Sequence, residues 1–337
     1  MRPRLGFLGV GWIGAQRMAS VAESGIANIV AVADVVPEVS AEHAGAVGAA
    51  AVTPADLLGL DLDGVVIATP SALHAEQALA ALSRGMAVFC QKPLGRDAGE
   101  AASVVAAARE SDRLLGVDFS YRRTAAAEAM ADACRGGDLG RIYAAELVFH
   151  NAYGPDKAWF ADRSLSGGGC VIDLGIHLVD LALWLLGWPP VCEVTSRLYR
   201  RGRRVGPVEE AVEELEVLDG VEDYATARLD LAGGVSVALT CSWFLHAGCD
   251  AQIGAVLHGT EGSVAMRNLG GSFYDFETVL RRRTSERRLA APPDAWGGRT
   301  VVDWVSKLAK DRRYDEDAAH LVEVAEVVDR IYGRGAR

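Results

Sequence analysis

The spacing of apolar and polar positions divides the chain near its first third. It opens on a short strand-like run, Arg4 to Leu8, and the apolar runs NIVAVAD (28–34), GVVIAT (64–69), AVFCQ (87–91) and LLGVDF (114–119) follow. Stretches of helical period lie among them near 72–84 and 97–110. Strands that alternate with helices build a parallel, doubly wound sheet, and such sheets bind ligands at the carboxyl ends of their strands. Beyond about residue 120 the runs lengthen: RIYAAELVFH, YATARLDL and VSVALTCSWF are separated by turn signals and predict a second, largely antiparallel sheet. One clear helix, Leu174 to Leu186, lies between these runs, and APPDAWGG (291–298) reads as a loop. The closing EDAAHLVEVAEVVDRIYG (316–333) has apolar residues at helical spacing and is expected to pack back on the body. The expected organisation is a parallel α/β domain over 1–120, followed by an α+β domain over 121–337 with a large open, mostly antiparallel sheet. No internal repeat is visible.

Composition narrows the partners. A chain of 337 residues, 50% hydrophobic and 23% charged, can bury a sizeable core. A formal net charge of -11 argues against nucleic acid, whose binders carry a basic footprint, and favours a small molecule. The six cysteines form no C-x-x-C pair and no zinc-type spacing, so neither a metal cage nor a disulfide framework is suggested, and reduced thiols in the cytoplasm are the default. No apolar run approaches the roughly 18 residues that span a bilayer, so no membrane partner is expected. The basic RLYRRGRR (197–204) and the acidic EEAVEELE (209–216) read as a solvated connection. The 34 basic residues include only four lysines, Lys92, Lys157, Lys307 and Lys310, in an Ala-, Gly-, Val- and Arg-rich chain that suggests a GC-rich genome.

The N-terminal stretch MRPRLGFLGVGWIGAQRMAS has two readings. Arg2 and Arg4, an apolar run and a small-residue site resemble a signal peptide. Alternatively, a strand turns through Gly9-Val10-Gly11-Trp12-Ile13-Gly14 into a helix ending near Gly25, which is the Rossmann dinucleotide fingerprint. The glycines then serve a tight turn, close approach to a pyrophosphate and close helix–strand packing, while the helix N-terminus faces the phosphates. Asp34 arrives 20 residues after Gly14, where an acid accepts from the ribose 2′-OH. A carboxylate there repels a 2′-phosphate, and Val35, Val36 and Pro37 supply no arginine, so NAD is favoured over NADP.

Two further stretches carry chemistry. In AVFCQKPLG (87–95) a buried strand runs into Gln91, Lys92 and Pro93, and Lys92 shares a strand-end position with Asp34 and with Thr69-Pro70. In SGGGCVIDLGIHLVDLALWLLG, Gly167 to Gly169 allow close backbone approach to a ligand, and the helix behind them places Asp173 and His177 four apart on one face. A carboxylate one turn from an imidazole can orient it as a general base for a hydroxyl; a helix cap and a satisfied core histidine are the structural alternative. Asp180 continues that polar side.

In this order, Gly9-x-Gly11-x-x-Gly14, Ala68-Thr69-Pro70-Ser71 with His74, QKP (91–93), GGGCVIDLGIH (167–177) and GTEGS (259–263) resemble the glucose-fructose oxidoreductase/inositol dehydrogenase/rhizopine (Gfo/Idh/MocA) family over nearly the whole chain. The resemblance implies a Rossmann domain followed by an open sheet used for substrate binding and for a homodimer or homotetramer. It implies Lys92, Asp173 and His177 as the catalytic set, and Gly9, Gly11, Trp12, Ile13, Gly14, Asp34, Thr69, Pro70, His74, Gln91 and Lys92 along the cofactor. Tyr121 and Arg122 match positions that often face substrate, and Trp159 and Trp243 are candidates for a sugar-facing wall or for core. The family usually has glutamate where this chain has Gln91, which takes a negative charge away from beside the lysine. The implied activity is NAD-dependent oxidation of a secondary ring hydroxyl on a sugar, an (amino)cyclitol or a glycoside, a small-molecule polyol chemistry compatible with a biosynthetic pathway. A keto-sugar reductase, an NAD-dependent glycosidase and a non-catalytic NAD-binding regulator are the alternatives.

Overall fold

A computed structural model describes residues 2–205 and 220–334. The acidic stretch 209–216 lies outside the described residues. The chain forms two compact units, one of Met1–Ser120 with Gly297–Glu323 and one of Tyr121–Trp296 with Val324–Arg337.

The first unit contains β1 (Arg4–Leu8), α1 (Trp12–Ser24), β2 (Asn28–Ala33), α2 (Pro37–Val47), β3 (Ala50–Ala51), α3 (Pro54–Leu57), β4 (Gly64–Ile67), α4 (His74–Leu82), β5 (Ala87–Cys90), α5 (Ala98–Glu110) and β6 (Leu115–Val117). The strands form one parallel sheet in the order β3-β2-β1-β4-β5-β6. Runs such as Gly64–Ile67 and Ala87–Cys90 are buried along their whole length, as strands covered on both faces must be. The N-terminal stretch is thus the strand, turn and helix of a dinucleotide fold.

Among the described residues the remaining chain is five more α-helices and nine more strands, in part foreseen. The second unit holds α6 (Ala125–Arg135), β7 (Ile142–Asn151), α7 (Arg163–Ser166), α8 (Ile176–Leu186), β8 (Val191–Arg200), β9 (Arg203–Val205), β10 (Tyr224–Leu231), β11 (Val235–Ser242), β12 (Ala251–Gly259), β13 (Ser263–Asn268), β14 (Phe276–Arg282) and β15 (Ser285–Ala290). Its nine strands run β15-β14-β13-β12-β7-β11-β10-β8-β9, antiparallel except for the parallel pair β7 and β11. Along β7, Ala145, Leu147 and Phe149 are buried under α8, while Ala144, Glu146 and Val148 alternate onto the other face.

Two sequence expectations are corrected here. The basic run 197–204 is not a solvated connection but the β8–β9 hairpin, in which Leu198 is buried, Tyr199 pairs with Arg204 and Arg200 with Arg203. Arg163–Leu186 is, in length and composition, apolar enough to cross a membrane, although Asp173, His177 and Asp180 break it into shorter runs; 83% of its most apolar stretch is buried inside the protein, which makes it a core helix.

Residues 297–323 also belong elsewhere than expected. Helix α9 (Arg299–Lys310) sits with the first unit because Val301, Trp304, Val305 and Leu308 fall on one face and join the cluster of Leu5, Phe7, Val66 and Phe89. The Trp304 ring lies 5.6 Å from that of Phe89, and a Cβ on Gly64 or Gly116 would come within 2.8 or 2.7 Å of it. Those two strand glycines are the slot for the indole. After a short turn α10 (His320–Ile331) carries the chain into the second unit, where Ser196 donates to the Ile331 carbonyl at 2.7 Å.

Candidate active site

The glycine turn after β1 is built from three different steric demands. Gly9 has φ +84°, and a Cβ there would lie 2.6 Å from the Ala68 carbonyl oxygen, so this turn admits only glycine. A Cβ on Gly14 would lie 2.2 Å from the Gly9 carbonyl oxygen, which fixes close packing of α1 on the turn. A Cβ on Gly11 meets nothing within 4 Å. The protein therefore leaves bare backbone over open space at the start of α1, where no side chain caps the helix. That is the cradle a pyrophosphate fills, with first-turn amides and the positive end of the helix dipole turned to it.

Asp34 follows β2 and is half-buried. Its Oδ2 accepts from the Val10 amide at 3.0 Å and its Oδ1 from the Val36 amide at 3.1 Å, so the acid that would hold a ribose is itself held by the glycine turn. Trp12 is 68% exposed and Ile13 half-buried beside this turn, and Val35 and Pro70 are also exposed. The residues present fit NAD.

His74 and Gln91 have other partners. The His74 ring is buried, with Nδ1 2.6 Å from the Pro93 carbonyl and Nε2 2.7 Å from the Thr69 carbonyl, so it ties the turn after β4 to the turn that carries Lys92. Burial holds its pKa below the usual histidine value; the two carbonyls pull the other way and the Lys92 charge adds to the lowering. Thr69 spends its hydroxyl on Gln77 at 2.6 Å. Gln91 is buried and donates its amide to Oδ2 of Asp118. Lys92 is half-buried at the end of β5. These contacts make His74 and Gln91 supports of the cofactor edge.

In the second unit, a single π-helical turn, Val171–Gly175, precedes α8. Such turns occur mostly as isolated insertions and concentrate at functional sites. From Val171 to Leu183 every residue is buried except Asp173, which is half-buried. Asp173 accepts from the Trp243 indole at 3.0 Å. The His177 ring is packed edge-on by Tyr121, with centroids 4.9 Å apart, and Tyr121 also meets Phe149, Phe276 and Trp296.

The other candidates from the sequence have the following partners. Trp243, a candidate for wall or for core, is buried and donates its indole N–H to Asp173. Trp159 stacks on Phe160 at 3.8 Å, and Phe160 meets Trp243 edge-on. Arg122 grips Asp180, with Nε 2.6 Å from Oδ2, and lies over the Trp188 ring. Burial raises the Asp180 pKa, and Arg122 opposes that rise. Arg122 is therefore a support of α8.

The glycines 167–169 serve the protein's own side chains. A Cβ on Gly168 would lie 2.1 Å from the Tyr332 hydroxyl, and one on Gly169 would lie 1.9 Å from the Glu222 carbonyl oxygen. Buried Glu222 accepts from the amides of Gly169 and Val171 and from the Tyr332 hydroxyl at 2.7 Å, and that hydroxyl accepts from the Ile172 amide. Glu222 and Tyr332 thus cap the turn that presents Asp173. Sequence reading missed both, since they lie far from Asp173 in the chain and neither sits in a motif.

A glycine-turn dinucleotide domain joined to a helix-backed open sheet defines the class of protein. The family comparisons agree: residues 4–119 match the oxidoreductase family with an NAD-binding Rossmann fold, and residues 127–265 match the GFO/IDH/MocA C-terminal domain. The putative UDP-kanosamine synthase oxidoreductase subunit of Amycolatopsis mediterranei (strain S699) is 30% identical over 100% of this chain and 99% of its own. The 1,5-anhydro-D-fructose reductase of Ensifer adhaerens is 33% identical over 69% of this chain, and that match spans 65% of the relative. A levoglucosan dehydrogenase solved with NADH and L-sorbose has the same fold, with a TM-score of 0.80, 24% identity, and coverage of 98% of this chain and 96% of its own. The chain belongs to the Gfo/Idh/MocA family.

Proposed function

We propose that this chain is an NAD-dependent dehydrogenase that oxidises a secondary ring hydroxyl of a sugar, (amino)cyclitol or glycoside to the ketone, within a biosynthetic pathway for a sugar- or aminocyclitol-containing product. The observation that carries the reading is Asp173, the one half-exposed residue of a buried helix start, fixed by Trp243 one turn before His177. Bound NAD supplies the hydride acceptor at nicotinamide C4. His177 takes the hydroxyl proton, Asp173 stabilises the imidazolium that results, and Lys92 stabilises the developing alkoxide. The sugar chemistry in the relatives' names supports the substrate class. The six cysteines are all free, which supports a reducing, cytoplasmic setting. The open face of the second sheet, with Val148 beside Thr240 and Thr240 beside Thr226, supports a homodimer or homotetramer through that face.

The test is a panel of cyclitols, aminocyclitols, free sugars and glycosides offered with NAD and followed by NADH absorbance. The expected result is NADH formed with a ring ketone. Folded Lys92→Ala and His177→Ala proteins are expected to lose about 10²- to 10⁴-fold in turnover, the usual share of general acid–base catalysis. Full turnover in both removes the role assignment. Release of a free sugar without net NADH supports the glycosidase, and tight NAD binding without turnover on any polyol supports a non-catalytic regulator.

A further inference from the structure

Three buried polar residues at the cofactor edge of the first unit have no part in the reaction proposed above. Arg17 stands in the second turn of α1, the helix whose start forms the phosphate cradle. Gln91 follows β5 and directly precedes Lys92; Asp118 follows β6. Arg17 is 5% exposed, Gln91 7% and Asp118 1%. The Arg17 Nε donates to Asp118 Oδ2 at 2.6 Å, and the Gln91 amide donates to the same oxygen. Asp118 Oδ1 is buried without a hydrogen-bond partner. Around this oxygen the backbone is pinned as well: the Asp118 amide donates to the Cys90 carbonyl at 3.0 Å and the Gln91 amide to the Ile67 carbonyl at 2.8 Å.

We propose that Arg17, Gln91 and Asp118 are a positioning network for Lys92 and for the phosphate cradle, in which Asp118 carries the single negative charge and residue 91 must therefore be an amide. A buried guanidinium needs a carboxylate, and this site holds one. A glutamate at 91 would place a second carboxylate in hydrogen-bond contact with the first, with one cation between them. An asparagine at 118 would leave Arg17 buried without an anion. Gln91 is thus the complement of Asp118: the acid expected at 91 stands one strand over. Because Arg17 is rigidly joined through α1 to Gly11, and Gln91 is bonded to Lys92, a shift at this oxygen displaces both the cradle and the lysine. The proposal rests on NAD binding by the first unit and not on the identity of the polyol.

The test compares wild type, Gln91→Glu, Asp118→Asn and the double variant Gln91→Glu/Asp118→Asn in the full chain. NADH affinity is read by fluorescence titration and stability by thermal melting, with kcat and KM for NAD on whichever polyol the wild type oxidises. Each single variant is expected to weaken NADH binding by about tenfold and to lower kcat; the double variant, with acid and amide exchanged, recovers to within about threefold of wild type, the non-additivity of partners in one network. A single variant that is insoluble while the double folds also supports the network. Wild-type behaviour of Gln91→Glu overturns it, as does a double variant that is insoluble or no better than the worse single. Lower melting temperatures with NADH affinity and kcat unchanged reduce the three residues to a structural role and overturn it too. If the wild type turns over no polyol, the proposed reaction fails, and the network is decided by the NADH titration.

Discussion

Trp243 donates its indole N–H to Oδ2 of Asp173 at 3.0 Å, from a strand end 70 residues further along the chain. A bond to a charged acceptor contributes about 1.5–3 kcal/mol, so Trp243→Phe, which keeps the ring and removes the donor, should lower kcat by about ten- to a hundredfold. NADH affinity should stay at the wild-type value, because Trp243 belongs to the second unit. Steady-state kinetics beside an NADH titration measure both. Unchanged kcat would show that Asp173 does not depend on the indole.

The glycine turn offers a sharper separation of folding from binding. Gly11→Ala adds a methyl to open space, so the melting temperature should hold, while NADH affinity falls by at least about tenfold because the methyl stands where phosphate oxygens come. Gly14→Ala puts its Cβ 2.2 Å from a backbone oxygen, and overpacking against a backbone that cannot yield costs about 1–3 kcal/mol or more. Melting curves and NADH titrations on the two variants should therefore move in opposite columns. An alanine at 11 that binds NADH normally removes Gly11 from the cradle.

What was legible in the sequence followed local period and spacing. Asp34 at its distance from Gly14 identified the dinucleotide turn, and buried strands such as Ala87–Cys90 identified the parallel sheet. Helix α9 was equally available, since residues 301, 304, 305 and 308 repeat at helical spacing, although no local signal says which core such a face will meet. Edge strand β15, Ser285–Ala290, carries mostly charged, exposed residues and lacks the alternation that marks a strand. The hardest features were pairings across the chain. Asp118 lies in the strand-like run 114–119, Tyr332 in the closing helical stretch 316–333 and Glu222 in no motif, and only the fold brings them to Gln91, to Glu222 and to Gly169 respectively. A motif names the residue that does chemistry; the residue that holds it in place is set by packing.

Trp304 tests the assignment of α9 to the first unit. Its indole fills the slot over Gly64 and Gly116 and meets Phe89, so Trp304→Ala should cost about 3–5 kcal/mol, the range for emptying a buried aromatic site. The loss should appear in the unfolding transition that bound NADH protects. A variant that weakens only a transition insensitive to NADH would place the helix with the second unit.

Acid sensitivity follows from two buried histidines. Burial lowers the pKa of His74, with the Lys92 charge adding to it, and burial alone lowers that of His150, whose Nδ1 faces the Ser242 hydroxyl at 2.7 Å. In both cases the unfolded chain, titrating near 6.5, takes up a proton before the folded chain does. As pH falls through that value the unfolded state binds more protons, and stability is lost until the folded-state values are reached; above about pH 7.5 the two histidines contribute no slope. Buried Glu222 and Asp180 act with the opposite sign, because their raised values let the folded chain protonate first and gain stability as pH falls through them. The clean measurement is therefore a difference. Urea midpoints of wild type and of a His74→Asn/His150→Asn variant, taken from about pH 7.5 to about pH 5, should show the variant with the shallower loss, since its two sites no longer titrate. Parallel curves would mean that neither histidine is held neutral by the fold.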